Sequence, residues 1–221
     1  MKDIIIIGGK GNAVVIAEQM EDARRRFGVE IRVKGFAFDD PAYSAGINGW
    51  PVLCPTREAY RLFKEDNNVF FVFAMYRSDL MAERIALRDS YGIPDDRYIS
   101  FIHPSATVLK SVEIGNGVII LANSVINSNV RIGRHCYVLS NSVVEHDTII
   151  GDNNIIAAHS CIGSGIKIGN GNFLGMNSTY RTPVMIGDNN IIGMGSVVLH
   201  NIADHGVYAG NPAGRLRDNK K

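Results

Sequence analysis

The residues with the clearest chemical potential are three consecutive side chains in the second half of the chain. His146 stands between Glu145 and Asp147. A carboxylate on one imidazole nitrogen fixes the tautomer, and the other nitrogen can then take a proton from a nucleophile. The pattern therefore predicts a general base at His146, and the alternative interpretation is a solvated cluster of surface charges. Among the other histidines, we expect His103 to be structural and His135 to serve in a turn.

A glycine-rich loop near the start of the chain is a second candidate. Gly8, Gly9 and Gly11 surround Lys10 directly after an apolar segment. The spacing departs from the dinucleotide-binding fingerprint, because Val14 stands where its third glycine belongs, and no P-loop signature is present. The residues alone leave two interpretations open, a tight strand-to-helix turn or a binding loop of another kind.

Three scattered cysteines, Cys54, Cys136 and Cys161, form neither a CxxC pair nor a Cys/His ligand set. We therefore expect no metal site and no disulfide framework. Reduced thiols are typical of the cytosol, so a cytoplasmic location is expected. A catalytic cysteine is disfavoured, because Cys136 falls at an inward position of the repeat described below and nothing beside Cys161 would lower its pKa.

The composition excludes several classes of protein. The 221 residues are 46% hydrophobic and 20% charged, as in ordinary globular proteins. The net charge of +1 gives no general attraction for nucleic acid, so any anionic ligand must be held locally. The apolar run from Val69 to Tyr76 is much shorter than a spanning helix, and the run of isoleucines after Asp3 is too short for a signal peptide. We expect no nucleic-acid partner and no membrane insertion.

The first hundred residues alternate between strand and helix patterns, which predicts a small parallel sheet with helices on its faces. Ligands bind such sheets at the carboxyl ends of the strands. The predicted strands cover residues 3–7, 31–38 and 69–74, and the predicted helices cover residues 12–27, 56–64 and 78–91. We expect Thr56 to be the N-cap of the second helix, and the apolar stripe of the first to contain Val15, Ile16, Ala17 and Met20.

From Ile102 onward, an aliphatic residue recurs every six positions. Sixteen of 17 successive positions up to Val198 are aliphatic, and Tyr180 is the exception. A second row, four residues after each of these, contains small or β-branched residues and a few asparagines. No helix has a period of six, so the pattern predicts a stack of short strands with one large and one small inward side chain per hexapeptide.

A longer period, equal to three hexapeptides, is superimposed on the shorter one. Glycine recurs at positions 115, 133, 151, 169 and 187, and asparagine recurs at positions 154, 172 and 190. Three hexapeptides therefore form one coil, and the repeat predicts nearly six coils. We expect the glycines to make tight turns at one corner and the asparagines to form an internal ladder of amides.

The repeat runs into Tyr208–Ala213, which matches the closing segment of hexapeptide-repeat acyltransferases. With the preceding α/β module and the junction Phe101–Ala106, the chain resembles the sugar acyltransferases of the sialic acid O-acetyltransferase and bacillosamine N-acetyltransferase type. The resemblance implies a Rossmann-like α/β module over residues 1–100 and a left-handed parallel β-helix over residues 101–207. Residues 208–221 are expected to form a C-terminal tail.

The same resemblance implies an acetyl-CoA-dependent N-acetyltransferase of glycan biosynthesis, assembled as a homotrimer with active sites between subunits. Its substrate would be a nucleotide-linked 4-amino-4,6-dideoxy sugar. Transfer would be direct, with His146 as the base, oriented by Asp147 or, as the second choice, Glu145. Carried over by position, the substrate-binding residues are Gly8, Gly11, Asn12, Asp39 and Asp40, and the cofactor-binding residues are Ser164, Gly175, Gly193, Met194 and Asn211.

Three positions depart from the family's pattern. Asn12 and Ile155 stand where relatives have histidine, and Leu139 stands where they often have asparagine. Four basic residues near the end could meet the phosphates of CoA or remain solvated: Arg215, Arg217, Lys220 and Lys221. Two other functions stay open. One is O-acetylation of a sugar or sialic acid, and the other is a non-catalytic trimeric β-helix that acts as a scaffold or binds a nucleotide sugar.

Overall fold

The computed structural model describes residues 1–219, which form two compact units. The first unit contains Met1–Tyr76 and Arg84–Ile99, and the second contains Arg77–Glu83 and the chain from Ser100 onward. The first unit is an α/β module, and the second is a β-helix of short parallel strands in three sheets. This architecture confirms the predicted fold class, while the left hand of the helix stays an expectation.

The α/β module is built on a four-stranded parallel sheet with the order β3-β2-β1-β4. Ile4–Ile7 of β1 are fully buried, as expected of a parallel strand covered on both faces. The hydrophobic pattern misses β3, because three residues are too few to show a period. The strands are β1 (Lys2–Ile7), β2 (Ile31–Ala37), β3 (Val52–Cys54) and β4 (Val69–Phe73).

Three helices follow the strands in the chain. The first has the predicted bounds and ends at Gly28, whose left-handed backbone directs its N–H back to the last carbonyls. The other two α-helices begin later than predicted, because 3₁₀ turns over Thr56–Glu58 and Ser78–Leu80 precede them. The helices are α1 (Asn12–Phe27), α2 (Ala59–Phe63) and α3 (Met81–Asp89).

Two expectations about these helices are wrong. Val15 is exposed and does not belong to the buried face of α1. Thr56 is not an N-cap, because Pro55 stands at that position and the Thr56 hydroxyl donates to a carboxylate oxygen of Asp39 instead. The buried side chains of α1 are Ala13, Ile16, Ala17, Met20 and Ala23.

The β-helix contains one two-residue strand in each hexapeptide. Each strand pairs in parallel with the equivalent strands of the coils before and after it, so the strands fall into three sheets. The predicted period is thus observed directly. The strands are β5 (Phe101–Ile102), β6 (Thr107–Val108), β7 (Glu113–Ile114), β8 (Ile119–Ile120), β9 (Val125–Ile126), β10 (Arg131–Ile132), β11 (Tyr137–Val138), β12 (Val143–Val144), β13 (Ile149–Ile150), β14 (Ile155–Ile156), β15 (Cys161–Ile162), β16 (Lys167–Ile168), β17 (Phe173–Leu174), β18 (Thr179–Tyr180), β19 (Met185–Ile186), β20 (Ile191–Ile192) and β21 (Val197–Val198).

Both predicted rows point into the β-helix. From Val108 onward the large aliphatic row forms one continuous core along the coils, whereas its first member, Ile102, is exposed. Tyr180 is buried within this core with its hydroxyl next to Ser178. The asparagines of the second row are fully buried and form the expected ladder. Asn154 Oδ1 accepts from the backbone N–H and side-chain amide of Asn172, and Asn172 Oδ1 accepts from the N–H of Asn190.

The corner glycines are required for a different reason from the one predicted. A Cβ on Gly151 would lie 2.7 Å from the carbonyl oxygen of Gly169 on the next coil, so glycine is needed for close packing between coils. The left-handed turns are made two residues later, at positions such as Asn153, where φ is 60°. Asparagine, aspartate and histidine tolerate this conformation better than most residues, and His135 makes one of these turns as expected.

The last coil is shorter by two residues and ends in a cap. Ile186 pairs with Ile202, where the full repeat would place its partner at position 204, and β22 (Gly206–Ala209) adds to β20 in the same shifted register. Val197 of β21 exchanges backbone hydrogen bonds with Gly210 and Ala213. The chain then returns as β23 (Gly214–Asp218), antiparallel to β22. The expected tail over residues 208–221 is therefore largely a strand, and its Lys220 and Lys221 lie outside the described residues.

Candidate active site

The His146 group lies at a corner of the β-helix, between β12 and β13. Val144 and Thr148 point inward and are buried, so the three residues between them project from the corner. Asp147 makes the left-handed turn with φ 60°. The side chain of His146 is 56% exposed. The repeat itself therefore presents the imidazole to solvent from a corner whose neighbouring N–H groups, those of Glu145 and Asp147, donate to adjacent coils.

The structure pairs His146 with Asp147. Nδ1 of His146 lies 2.7 Å from Oδ2 of Asp147. An ionised carboxylate can only accept, so Nδ1 is the donor and Nε2 keeps its lone pair. Hydrogen bonds from the amide of Asn129 and from His146 lower the pKa of Asp147 below its ordinary value. The carboxylate of Glu145 accepts instead from the amide of Asn127, at 3.0 Å.

A depression of about 360 Å³ opens beside this corner. One wall carries Asn129 and Asp147, and the other carries Glu113 and Arg131, whose charged groups are 3.3 Å apart. Asp147 therefore contacts His146 on one side and faces this depression on the other.

The expected cofactor-binding residues are divided between two corners of one chain. Ser164 follows β15 at the His146 corner, one coil further on, whereas Gly175 and Gly193 follow β17 and β20 of another sheet. Their N–H groups donate to the carbonyls of the next coil, and so neither amide is free to bind a thioester. Met194 and Asn211 are exposed.

The expected substrate-binding residues meet at the carboxyl ends of β1 and β2. Gly8 adopts φ 123°, and a Cβ there would lie 2.9 Å from the side chain of Met75. Gly11 also has a left-handed backbone, and it leads into α1, where Asn12 is exposed. The glycine loop is therefore a turn that only glycine fits at its first position.

The two acidic residues after β2 have different partners. Asp39 accepts from the N–H and the hydroxyl of Thr56, at 2.9 and 2.7 Å. Asp40 pairs with Lys10 at 2.9 Å and accepts from the N–H of Ala42, and the hydrogen bond from Lys10 is the main reason why the pKa of Asp40 is lowered.

Sequence reasoning misses Lys10 as a member of this group. Its Nζ lies over the ring of Tyr43, 4.8 Å from the ring centre. Its position could have indicated this role, because Lys10 lies inside a glycine loop that follows β1, and the carboxyl ends of such strands bind ligands.

The remaining candidates for chemistry are buried or unclustered. Desolvation raises the pKa of Cys136 to about 12 and that of Cys54 to about 11, so neither is poised as a nucleophile. His103 is buried and bonded to Ser105, which fits a structural role. Within residues 1–219, no three His, Cys, Asp or Glu side chains lie together as a metal site, and no helix is long and apolar enough to span a bilayer.

Known structures of sugar N-acetyltransferases match nearly the whole chain. Perosamine N-acetyltransferase from Caulobacter crescentus, in a histidine-to-asparagine variant bound to CoA and GDP-perosamine, is 27% identical with a TM-score of 0.82. That match covers 99% of this chain and 98% of that chain. WeeI from Acinetobacter baumannii is 27% identical with a TM-score of 0.78, covering 97% and 100%. Over nearly its whole length, the chain is therefore similar to hexapeptide-repeat sugar N-acetyltransferases.

Further similarities of the chain are partial or more distant. UDP-N-acetylbacillosamine N-acetyltransferase from Bacillus subtilis is 29% identical over 125 residues. That alignment covers 55% of this chain and spans about half, 52%, of the relative. The family model of the GMPPB C-terminal domain matches residues 98–205. The acetyltransferase domain of PglB from Neisseria gonorrhoeae shares the fold at 24% identity, with a TM-score of 0.81 and coverage of 98% and 100%.

Proposed function

We propose that this protein transfers the acetyl group of acetyl-CoA directly to the 4-amino group of a nucleotide-linked 4-amino-4,6-dideoxy sugar, with His146 as the general base. The observation that carries this proposal is the exposed imidazole whose Nδ1 is held by the carboxylate of Asp147. That arrangement leaves Nε2 unprotonated and open to a substrate amine. No cysteine lies at this corner, because Cys161 is on the paired strand β15 of the next coil and Cys54 and Cys136 are buried elsewhere.

The proposed chemistry balances without a covalent enzyme intermediate. The nitrogen of the sugar amine attacks the carbonyl carbon of the thioester, and Nε2 of His146 removes the N–H proton as the C–N bond forms. The C–S bond then breaks, and the proton passes from His146 to the departing CoA thiolate. Asp147 stabilises the imidazolium between these steps. General-base help of this kind contributes about 10²–10⁴-fold.

The substrate class is supported by a relative and by the α/β module. The Caulobacter crescentus enzyme was crystallised with CoA and GDP-perosamine, and in variants with one histidine replaced by asparagine or alanine. In the chain described here, the glycine loop and two carboxylates share one edge of the sheet. We assign Gly8, Gly11, Asn12, Asp39 and Asp40 to the nucleotide sugar on this basis.

A homotrimer with active sites between subunits belongs to the same proposal. His146 and the glycines Gly175 and Gly193 lie at different corners of one chain. A site that uses both corners therefore needs two chains, and a three-fold arrangement would supply them. The half-buried Ser164 and the exposed Met194 and Asn211 remain the proposed cofactor contacts. We also propose a cytoplasmic location, because the three cysteines are free thiols.

Release of the CoA thiol tests the proposed reaction. The protein is mixed with acetyl-CoA and a panel of nucleotide-linked 4-amino sugars, together with their 4-hydroxy counterparts. Release with amines alone is the expected result. Release with hydroxyl acceptors would assign O-acetylation, and release with neither would assign the non-catalytic scaffold.

Replacing the base tests its role. His146→Gln is expected to lower kcat by about 10²–10⁴-fold, because Gln cannot take the proton. His200→Gln is the matched control, since His200 is exposed at the same corner three coils further on and has Asn201 instead of a carboxylate beside it. A His146→Gln protein that keeps most of its rate would contradict the proposed base.

A further inference from the structure

A side chain without a part in the proposed reaction lies behind the His146–Asp147 pair. Asn129 occupies the Asp147 corner one coil earlier, and its Nδ2 donates to Oδ1 of Asp147 at 2.9 Å. Oδ2 of the same carboxylate accepts from Nδ1 of His146 at 2.7 Å. Two different partners therefore hold the two oxygens, which fixes the plane of the carboxylate.

We propose that Asn129 is a positioning residue of acetyl transfer, which acts through Asp147 to keep the proton of His146 on Nδ1 and the lone pair on Nε2. The inference rests on the proposed function of His146. A carboxylate with one partner can rotate about its last bond, and the imidazole would then follow it. The amide of Asn129 removes this freedom and favours the ionised carboxylate, which is the form that accepts from Nδ1.

The backbone does not require an amide at position 129. Asn129 is left-handed with φ 60°, and its N–H donates to Oγ of Ser111. Gly165 makes the same turn two coils later with φ 66° and no side chain at all. The corner thus accepts glycine, and the amide of Asn129 is free to serve the neighbouring carboxylate.

Other charged groups nearby have separate partners. Glu145 is held by Asn127, and Arg131 lies beside Glu113 across the depression that Asn129 and Asp147 also line. Besides His146, the side chain in this cluster that donates a hydrogen bond to Asp147 is Asn129. Removing the Asn129 amide is therefore expected to affect His146 through Asp147.

Two variants of the full-length protein isolate this effect. Asn129→Gly removes the amide and keeps a residue suited to the left-handed turn. Asn129→Asp keeps the shape and replaces the donor by a second carboxylate. The matched control is Asn123→Gly, because Asn123 is also exposed, has φ 60° and donates its N–H to a serine hydroxyl, while its neighbour one coil on is Asn141.

The first readout does not depend on activity. Long-range ¹⁵N–¹H spectra of ¹⁵N-histidine-labelled protein report the tautomer, and the His146 signal is assigned from its loss in His146→Gln. We expect an Nδ1–H imidazole in the unmodified protein and in Asn123→Gly, and a mixture of tautomers in Asn129→Gly. An unchanged His146 tautomer in Asn129→Gly overturns the inference. An unmodified protein that is inactive with every acceptor would overturn the proposed function and leave this comparison intact.

The second readout is kinetic. Asn129→Gly is expected to lower kcat/KM about 10–100-fold, the usual cost of losing a group that orients a reacting partner. Asn129→Asp should move the acid limb of the kcat/KM profile toward higher pH, because added negative charge favours the imidazolium. A purely structural role of Asn129 predicts the same small change in kcat/KM as in Asn123→Gly, and an equal kcat/KM in these two glycine variants would overturn the proposal.

Discussion

At the scale of single residues, Asp147 combines two requirements that seldom coincide. Its backbone makes a left-handed corner turn, and its carboxylate accepts a hydrogen bond from Nδ1 of His146. The adjacency of the two residues predicted their contact, since neighbours on a corner can reach one another. The sequence could not single out Asn129, because its role depends on whether its side chain points toward the equivalent corner of the next coil. The spacing of 18 residues shows which corner residues are neighbours in adjacent coils, but it does not show which of them form hydrogen bonds.

Asp147→Asn tests the orienting role at this scale. Asparagine tolerates the same left-handed turn, as Asn129 and Asn141 show, but its amide can present a donor to Nδ1 and favour the wrong tautomer. We expect kcat to fall about 10²–10⁴-fold in thiol-release assays. Glu145→Gln is the control, and a larger loss in that variant would transfer the orienting role to Glu145.

The pH dependence of activity follows from the carboxylate. Hydrogen bonds from Asn129 and His146 lower the pKa of Asp147 below its ordinary value of 3.8. The carboxylate therefore stays ionised as the pH falls toward 5, and its support of His146 is lost only at lower pH. We expect the ¹³C chemical shift of the Asp147 carboxyl carbon, assigned from its loss in Asp147→Asn, to stay constant as the pH falls from 7 to about 5. A carboxyl shift that moves within this range would contradict the lowered pKa.

At the scale of elements, the asparagine ladder joins consecutive coils through buried hydrogen bonds. Asn172→Ala removes the acceptor of the Asn190 N–H inside the β-helix. We expect a loss of about 2–3 kcal/mol in the free energy of unfolding, because the orphaned group cannot reach water. Asn170 on the same coil bonds equivalently but is exposed. Asn170→Ala should therefore lower the urea midpoint much less, and equal losses would contradict the ladder's importance.

The elements of the β-helix could be predicted nearly completely, and its end could not. The strands from Phe101 to Val198 recur every six residues, so the aliphatic residue at each sixth position reveals them. The shortened last coil interrupts that period after Val198, and antiparallel pairing of β22 with β23 has no periodic signal. In the α/β module, β3 was too short to detect, and the Lys10–Asp40 pair joins residues 30 positions apart.

At the scale of the whole molecule, the net charge of +1 means that polyanionic ligands must be bound by local groups. In the α/β module, the proposed function assigns this role to the glycine loop, next to the side chain of Lys10. In the β-helix, Arg215 and Arg217 lie on the exposed strand β23, where Arg215 is paired with Asp218. The segment that was expected to be a locally basic tail therefore contains an ordered strand.

Mixed oligomers test whether two chains build each site. His146→Ala and Met194→Glu are each expected to be inactive alone, the second because a carboxylate would repel the phosphates of CoA. When the two variants are coexpressed, sites that combine His146 of one chain with Met194 of another should restore about a quarter of the activity of the unmodified protein. Sedimentation should give three times the 24.2 kDa of one chain. No recovery in a mixed trimer would place each site within one chain.

The cap on the last coil has a consequence for behaviour in concentrated solution. A stack of identical coils ends in unpaired strand edges, on which further chains could add without limit. Here the edges of β19, β20 and β21 are covered by Ile202, β22 and the Gly210–Ala213 segment. The outermost strand, β23, is short and carries charged side chains. The cap thus terminates the stack at this end, which protects the protein against end-to-end polymerisation into fibres.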